Sequence, residues 1–205
     1  DCKVYGVQAE GAASMYHSLK NGKPTELEDV STIADGIAVK KPGDLTYELV
    51  SKYVDGVVTV SEDEIATAIL ALMEKQKIVA EGAGAAAVAA VMFGKIKDFK
   101  NVVCLVSGGN IDVTILSRVI TKGLNKTGRI TEITTKVIDK PGQLTELLQL
   151  ISKTGANINK VNHEREAKRS EVNSCVVSIV LETKNVEHGN EIKDLLREHG
   201  YELYE

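Results

Sequence analysis

A doubly wound α/β layer followed by an α+β ferredoxin-like sandwich is the architecture that the sequence predicts. Three observations carry that reading. Apolar runs of strand length alternate with helical spacings over residues 1–126. Composition then changes near Thr127-Gly128. From there to residue 205 the pattern is strand, helix, strand, strand, helix, strand, the order of a split βαβ sandwich. The expected domains are therefore 1–126 and 127–205, the second a complete unit able to stand alone.

In the first domain, residues 3–8 read as a buried strand, and a helix follows from about Gly11 to Asn21. Gly22 and Pro24 open a loop that extends through Thr32-Ile33-Ala34-Asp35-Gly36-Ile37-Ala38, where Asp35-Gly36 marks a turn. Leu45, Leu49, Val50 and Tyr53 recur at helical spacing, and Val57 to Val60 is a second strand. Ser61 and Glu64 stand three apart, which is a capping box for a helix reaching about Gln76.

Glu81-Gly82-Ala83-Gly84-Ala85-Ala86-Ala87 imitates the dinucleotide fingerprint. That motif needs a strand in front of it and an acid at the end of the following strand. Here only Ile78-Val79-Ala80 precedes it, and the next apolar run ends at Ser107. Small residues here let a helix pack closely against a sheet, or let its N-terminus approach a ligand. The run Val102-Val103-Cys104-Leu105-Val106 is continuous and apolar, so a strand buried on both faces is expected. Ser107-Gly108-Gly109 breaks it before a helical pattern from Val113 to Ile120. A polar side chain at the tip of such a strand points to where open α/β sheets bind ligands. Ser107 is accordingly a candidate ligand contact, or else a cap for the helix that follows.

The second domain opens with a strand in which Ile133, Thr135 and Val137 alternate. Asp139-Lys140-Pro141-Gly142 then leads into a helix with Leu144, Leu147, Leu148 and Ile151 on one face; Pro141 is expected to start it. Thr154-Gly155 ends that helix, and residues 156–161 form the next strand. The charged cluster from His163 to Arg169 reads as a solvated hairpin. It precedes a strand with Cys175, Val177, Ile179 and Leu181 turned inward. A last helix, carrying Val186, Ile192, Leu195 and Leu196, and a short strand at Tyr201 and Leu203 complete the pattern.

Composition narrows the function classes. A net charge of −4, six tyrosines, two phenylalanines and no tryptophan argue against a nucleic-acid partner. No apolar run approaches the ~20 residues of a membrane span, so no membrane association is expected. Cys2, Cys104 and Cys175 are isolated, without a Cys-x-x-Cys pair or a histidine spacing suited to zinc. A reduced, cytoplasmic protein without a metal fits that pattern. There is no initiator Met and no basic segment before the first strand, so no secretory signal is expected and the chain reads as starting in mid-domain.

Four motifs in order, Val7-Gln8-Ala9-Glu10, Thr32 to Gly36, Glu81 to Ala85 and Ser107 to Asp112, resemble the C-terminal half of the catalytic domain of threonine dehydratases. These are pyridoxal-phosphate enzymes of the tryptophan-synthase-β fold type. Residues beyond them resemble an ACT domain, a small amino-acid-sensing module. The resemblance implies conversion of L-threonine, or of serine, by β-elimination; from threonine the products are 2-oxobutanoate and ammonia. It implies that Ser107 meets the pyridine nitrogen of pyridoxal phosphate and that Gly108, Glu81 and Gly36 lie around the ring. A neutral serine partner suits β-elimination, because the leaving hydroxyl carries the electrons away. Glu81 is open to a second reading, an acid favoured by a helix N-terminus. The family's Schiff-base lysine and glycine-rich phosphate cup have no counterpart among these 205 residues, so the chain tested alone is expected to be inactive.

In the second half the resemblance implies an effector site at Gly142, Gln143, Leu144, Asn157 and Ile158. Isoleucine, valine or threonine would be the ligand, held where two ACT domains pair in a homo-oligomer. A stand-alone, non-enzymatic amino-acid sensor and a nucleotide-binding α/β protein are the competing readings.

Overall fold

The computed structural model describes residues 2–165 and 173–204, and the chain divides into two compact units, Asp1–Ile120 and Thr121–Glu205. Residues 166–169 of the expected charged hairpin lie outside the described residues.

The first unit is mixed α/β. Its sheet pairs β1 (Tyr5–Ala9) in parallel with β2 (Gly56–Val60), in a register that places Ala9 beside Val60. Between them run α1 (Ser14–Asn21) and α2 (Asp44–Tyr53). The stripe on α2 does not face a core: Leu45, Leu49 and Tyr53 are all exposed. After β2 comes α3 (Glu62–Ala71), opened by the expected capping box. The Glu64 N–H donates to Ser61 Oγ at 3.3 Å, and the Ser61 N–H donates to Glu64 Oε2 at 2.8 Å. This helix continues as a π-turn, Leu72–Gln76, and stops at Lys77 in a left-handed conformation.

α4 (Gly82–Met92) is almost wholly alanine, glycine and valine, and it buries Ala85, Ala86, Ala89 and Ala90. Ile65, Ala68, Ile69 and Leu72 join these alanines in one apolar core with Ala9 and Val60. Small side chains let helix and neighbour approach more closely than leucines would allow.

The expected strand at 102–106 is not a paired strand among the described residues. Cys104 and Val106 are half-buried, and the Cys104 thiol points at the Ala87 carbonyl at 3.6 Å. Val103 and Leu105 alternate with them and are 96% and 80% exposed. The segment thus keeps the period of two of an extended chain but has only one covered face, that against α4. A continuous apolar run encodes burial on two faces only when a second layer is present to cover it. α5 (Val113–Lys126) follows and spans the division between the units.

The second unit has the expected βαββαβ order: β3 (Ile130–Ile138), α6 (Gln143–Ser152), β4 (Asn157–Glu164), β5 (Ser174–Glu182), α7 (Val186–Glu198) and β6 (Leu203–Tyr204). The strands form one antiparallel sheet in the order β4-β5-β3-β6. Alternate residues Ile133, Val137, Cys175, Val177, Ile179 and Leu181 turn to one face, where Leu147, Ile151, Ile192 and Leu196 of the two helices bury them. α6 begins two residues later than expected. Gly142 is its N-cap, so Pro141 lies before the helix rather than in its first turn. His188 was not singled out in the sequence. It is buried and ties this unit together, accepting the Lys184 N–H at Nδ1 (3.2 Å) and bonding the Thr154 carbonyl through Nε2 (3.1 Å).

Candidate functional site

Three of the four motifs meet at the N-terminus of α4. Glu81 is the N-cap residue, and its backbone N–H donates to the Gly108 carbonyl at 3.2 Å, pinning the 107–109 turn to the helix end. Gly84 allows this: a Cβ there would collide with the Ser107 carbonyl. Gly82 is packed as tightly on the other side, where a Cβ would lie 2.9 Å from the Ala34 Cα. The glycines of the Gly-x-Gly motif are therefore used for close backbone approach. Among the described residues no strand leads into them, which removes the basis for a dinucleotide fingerprint.

Gly36, Glu81 and Gly108 also meet through the Glu81 side chain. A Cβ on Gly36 would sit 3.2 Å from Glu81 Oε1, and one on Gly108 would overlap the carboxylate. Gly108 has φ +73, a left-handed conformation that further favours glycine. The carboxylate makes no capping bond to its own helix, so it is presented between the two glycine turns and not folded back on the helix end.

Ser107 is exposed beside this cluster, and it does not cap α5. That role belongs to Asp112, whose Oδ1 accepts the Thr114 and Ile115 N–H groups at 2.7 and 3.3 Å, along with the Thr114 hydroxyl. The Thr114 hydroxyl and then the two amides hold the Asp112 carboxyl below its usual range. Ser107 was the more conspicuous residue in the sequence, while Asp112 had the signal of an N-cap acid just before an apolar periodic run. The fourth motif has a structural use: the Gln8 amide donates to the Ala12 carbonyl at 3.2 Å and accepts the Tyr16 N–H at 2.9 Å.

The expected effector residues do not come together within one chain. Gly142, Gln143 and Leu144 follow the end of β3 at Ile138, which pairs with Ser174. Asn157 pairs with Glu182, which also pairs with Ile130 at the opposite end of the sheet. Its amide already donates to Glu182 Oε2 at 3.0 Å. Leu144 and Ile158 are half-buried against their own core. Gly142 has φ +92 and nothing within 4 Å of where a Cβ would stand, so glycine is required there by backbone conformation rather than by space. Only a second copy could set the Gly142 turn opposite Asn157.

Comparisons with known proteins agree with this geometry. The family model described as "Pyridoxal-phosphate dependent enzyme" matches residues 1–108, and that of the ACT domain matches residues 125–199. L-threonine ammonia-lyase of Thermotoga maritima is 50% identical over 203 residues, 99% of this chain and 51% of the relative. The enzyme of the same name from Geobacter sulfurreducens is 40% identical, over 97% of this chain and 50% of the relative. The chain thus spans about half the length of the curated relatives it matches. Among solved structures, the processed threonine deaminase isoform 2 of Solanum lycopersicum superposes with a TM-score of 0.53 at 37% identity, over 58% of this chain and 34% of that one. Maize serine racemase gives 0.52 at 30%, over 58% of this chain and 39% of that one. With its family model covering more than half of its residues and its motifs gathered at one helix N-terminus, the chain belongs to the pyridoxal-phosphate-dependent enzyme family.

Proposed function

We propose that the chain forms part of an L-threonine ammonia-lyase, which converts L-threonine to 2-oxobutanoate and ammonia, the water lost at the β-carbon being returned in the hydrolysis that releases ammonia. The observation that carries this reading is the meeting of the Gly36, Glu81 and Gly108 turns beside Ser107, in a chain 50% identical to a threonine ammonia-lyase along almost its whole length. The residues fit one side of pyridoxal phosphate. Two turns without side chains, at Gly36 and Gly108, close on the Glu81 carboxylate, and an exposed hydroxyl stands next to them. When bound, pyridoxal phosphate draws electrons from the substrate Cα, which acidifies the α-proton and lets the β-hydroxyl leave. Ser107 would hold the pyridine nitrogen through a neutral hydrogen bond, fixing the ring without forcing it to stay protonated. Gly108 and Gly36 would keep its faces free, and the Glu81 carboxylate would border its edge. Serine is the alternative substrate, and the enzyme would work in the cytoplasm; among the described residues no helix is long and apolar enough to cross a membrane.

The second unit supports a regulatory role. Taking the functional boundary at 126/127, after α5, residues 127–205 would bind isoleucine, valine or threonine between paired ACT domains of a homo-oligomer. The α6 N-terminus, with no capping side chain at Gly142, would receive the ligand carboxylate, and Asn157 of a second copy would orient its ammonium group.

The test is a chimera that joins this chain to the N-terminal half of the Thermotoga maritima relative. The chimera should form 2-oxobutanoate from L-threonine while the 205-residue chain alone does not. Ser107→Ala in the chimera should lower kcat about tenfold to a hundredfold, the scale of the roughly 1–3 kcal/mol lost when a buried ring nitrogen is left without its partner. A folded chimera that binds pyridoxal phosphate but leaves threonine intact would refute the reading. Unchanged kinetics in Ser107→Ala would remove the serine from the site.

A further inference from the structure

One end of the second unit's sheet holds three metal-ligating side chains that the site above does not use. Val137 pairs with Cys175 and His163 pairs with Val177, and Asp139 follows β3 two residues beyond Val137. Side chains on a strand alternate, and directly paired residues share a face. Asp139, His163 and Cys175 therefore project to the same side, the one the helices cover further along. Their donor atoms, a carboxylate oxygen, a ring nitrogen and a thiol sulfur, all lie within 4.8 Å of one another. We propose that Asp139, His163 and Cys175 bind one divalent transition-metal ion of the zinc class.

The donor set selects the ion. Sulfur, imidazole and carboxylate together suit zinc, cobalt or nickel, whereas magnesium and calcium take oxygen. Three protein ligands leave a fourth tetrahedral position for water or a small molecule. Metal–ligand distances of about 2.0–2.3 Å set ligand atoms roughly 3.3–3.6 Å apart, so the cluster must contract by at most about 1.5 Å. The chain can do this. Cys175 is 1% exposed and fixed between two strands, while Asp139 and His163 are exposed and can change rotamer around it. The Cys175 thiol points at the Val137 carbonyl at 3.6 Å; on binding, its proton passes to solvent and the thiolate takes the ion.

Arg165 is the built-in competitor. Its Nε bonds Asp139 Oδ2 at 2.9 Å in a solvent-exposed pair, a contact of modest strength that a divalent ion can displace at the same carboxylate. The proposal is independent of the reading of the catalytic half.

The experiment titrates cobalt(II) into the metal-free 205-residue chain, carrying Cys2→Ser to remove the exposed thiol, under a reductant that contains no thiol. Binding of one ion per chain should raise a thiolate-to-cobalt charge-transfer band in the near ultraviolet, which zinc then bleaches. Cys175→Ser should abolish the band. His163→Gln changes only an exposed side chain, so it keeps the test open if the cysteine variant misfolds. It should weaken binding by more than the roughly 10–100-fold that loss of an outer-shell partner costs. The absence of a thiolate band, or cobalt affinity unaltered in His163→Gln, would overturn the proposal.

Discussion

The two units build their interiors from different mixtures of side chains. The second packs isoleucines, leucines and valines of two helices into one face of a four-stranded sheet, with Ile133, Leu147, Ile151, Ile179, Leu181, Ile192 and Leu196 all almost fully buried. The first centres on α4, where alanines and glycines bring backbone against backbone, and it leaves Leu45, Val103 and Leu105 two-thirds or more exposed. Large side chains bury more apolar surface and therefore stabilise more per residue, at about 25 cal/mol per Å². Small ones contribute less, but they let a loop carbonyl lie on a helix end, which is how Ser107 and Gly108 come to stand beside Glu81. One interior serves stability and the other serves placement.

Several substitutions would break or sharpen this contrast. The largest loss of stability should come from Leu147→Ala, which opens a cavity in the second unit at a cost of about 2–5 kcal/mol. Denaturant unfolding of that unit would show it, and a cost under about 1 kcal/mol would mean that the core is less tightly packed than described. Gly84→Ala adds a single methyl where the Ser107 carbonyl already sits, so the first unit should lose about 1–3 kcal/mol through overpacking. The specific readout is amide exchange at Glu81. Its bond to the Gly108 carbonyl should open, and unchanged protection there would contradict a backbone-on-backbone seat.

Ser61→Ala removes half of the capping box on α3 and should cost about 1 kcal/mol, visible as a lower melting temperature. The smallest effect is expected at the start of α5. The Asp112 carboxyl is held below its usual range by the Thr114 hydroxyl and by the Thr114 and Ile115 amides. A depressed carboxyl contributes stability that is complete above its unfolded pKa, near 4, and is lost as pH falls through the folded value. Acidification should therefore weaken protection of the Thr114 amide below that range. Asp112→Ala should abolish the pH dependence, and an identical acid profile in both proteins would remove Asp112 as the cap.

Much of the local structure was legible from the residues. The Ser61 and Glu64 spacing announced a capping box that is present with both bonds, and the alternation in β3 and β5 matches their buried faces. The motifs around Gly36, Glu81 and Ser107 were legible as a group, although their spacing could not show that Gly82 and Gly84 are the residues that let them touch. The run at 102–106 misled because continuous hydrophobicity says that a segment can be buried, not that two layers cover it.

By itself, then, the sequence determined the helices, the paired strands and the ferredoxin-like order, because propensity, capping and periodicity act over a few residues, and its four motifs carried the resemblance to the pyridoxal-phosphate-dependent family. Tertiary structure alone decided that Asp112 rather than Ser107 caps α5, that Gly142 and Asn157 stand at opposite ends of one sheet, and that Asp139, His163 and Cys175 converge. The last two depend on strand order and register. A shift of one residue in β-pairing turns every side chain to the other face, so such meetings belong to the assembled sheet and not to any stretch of the chain.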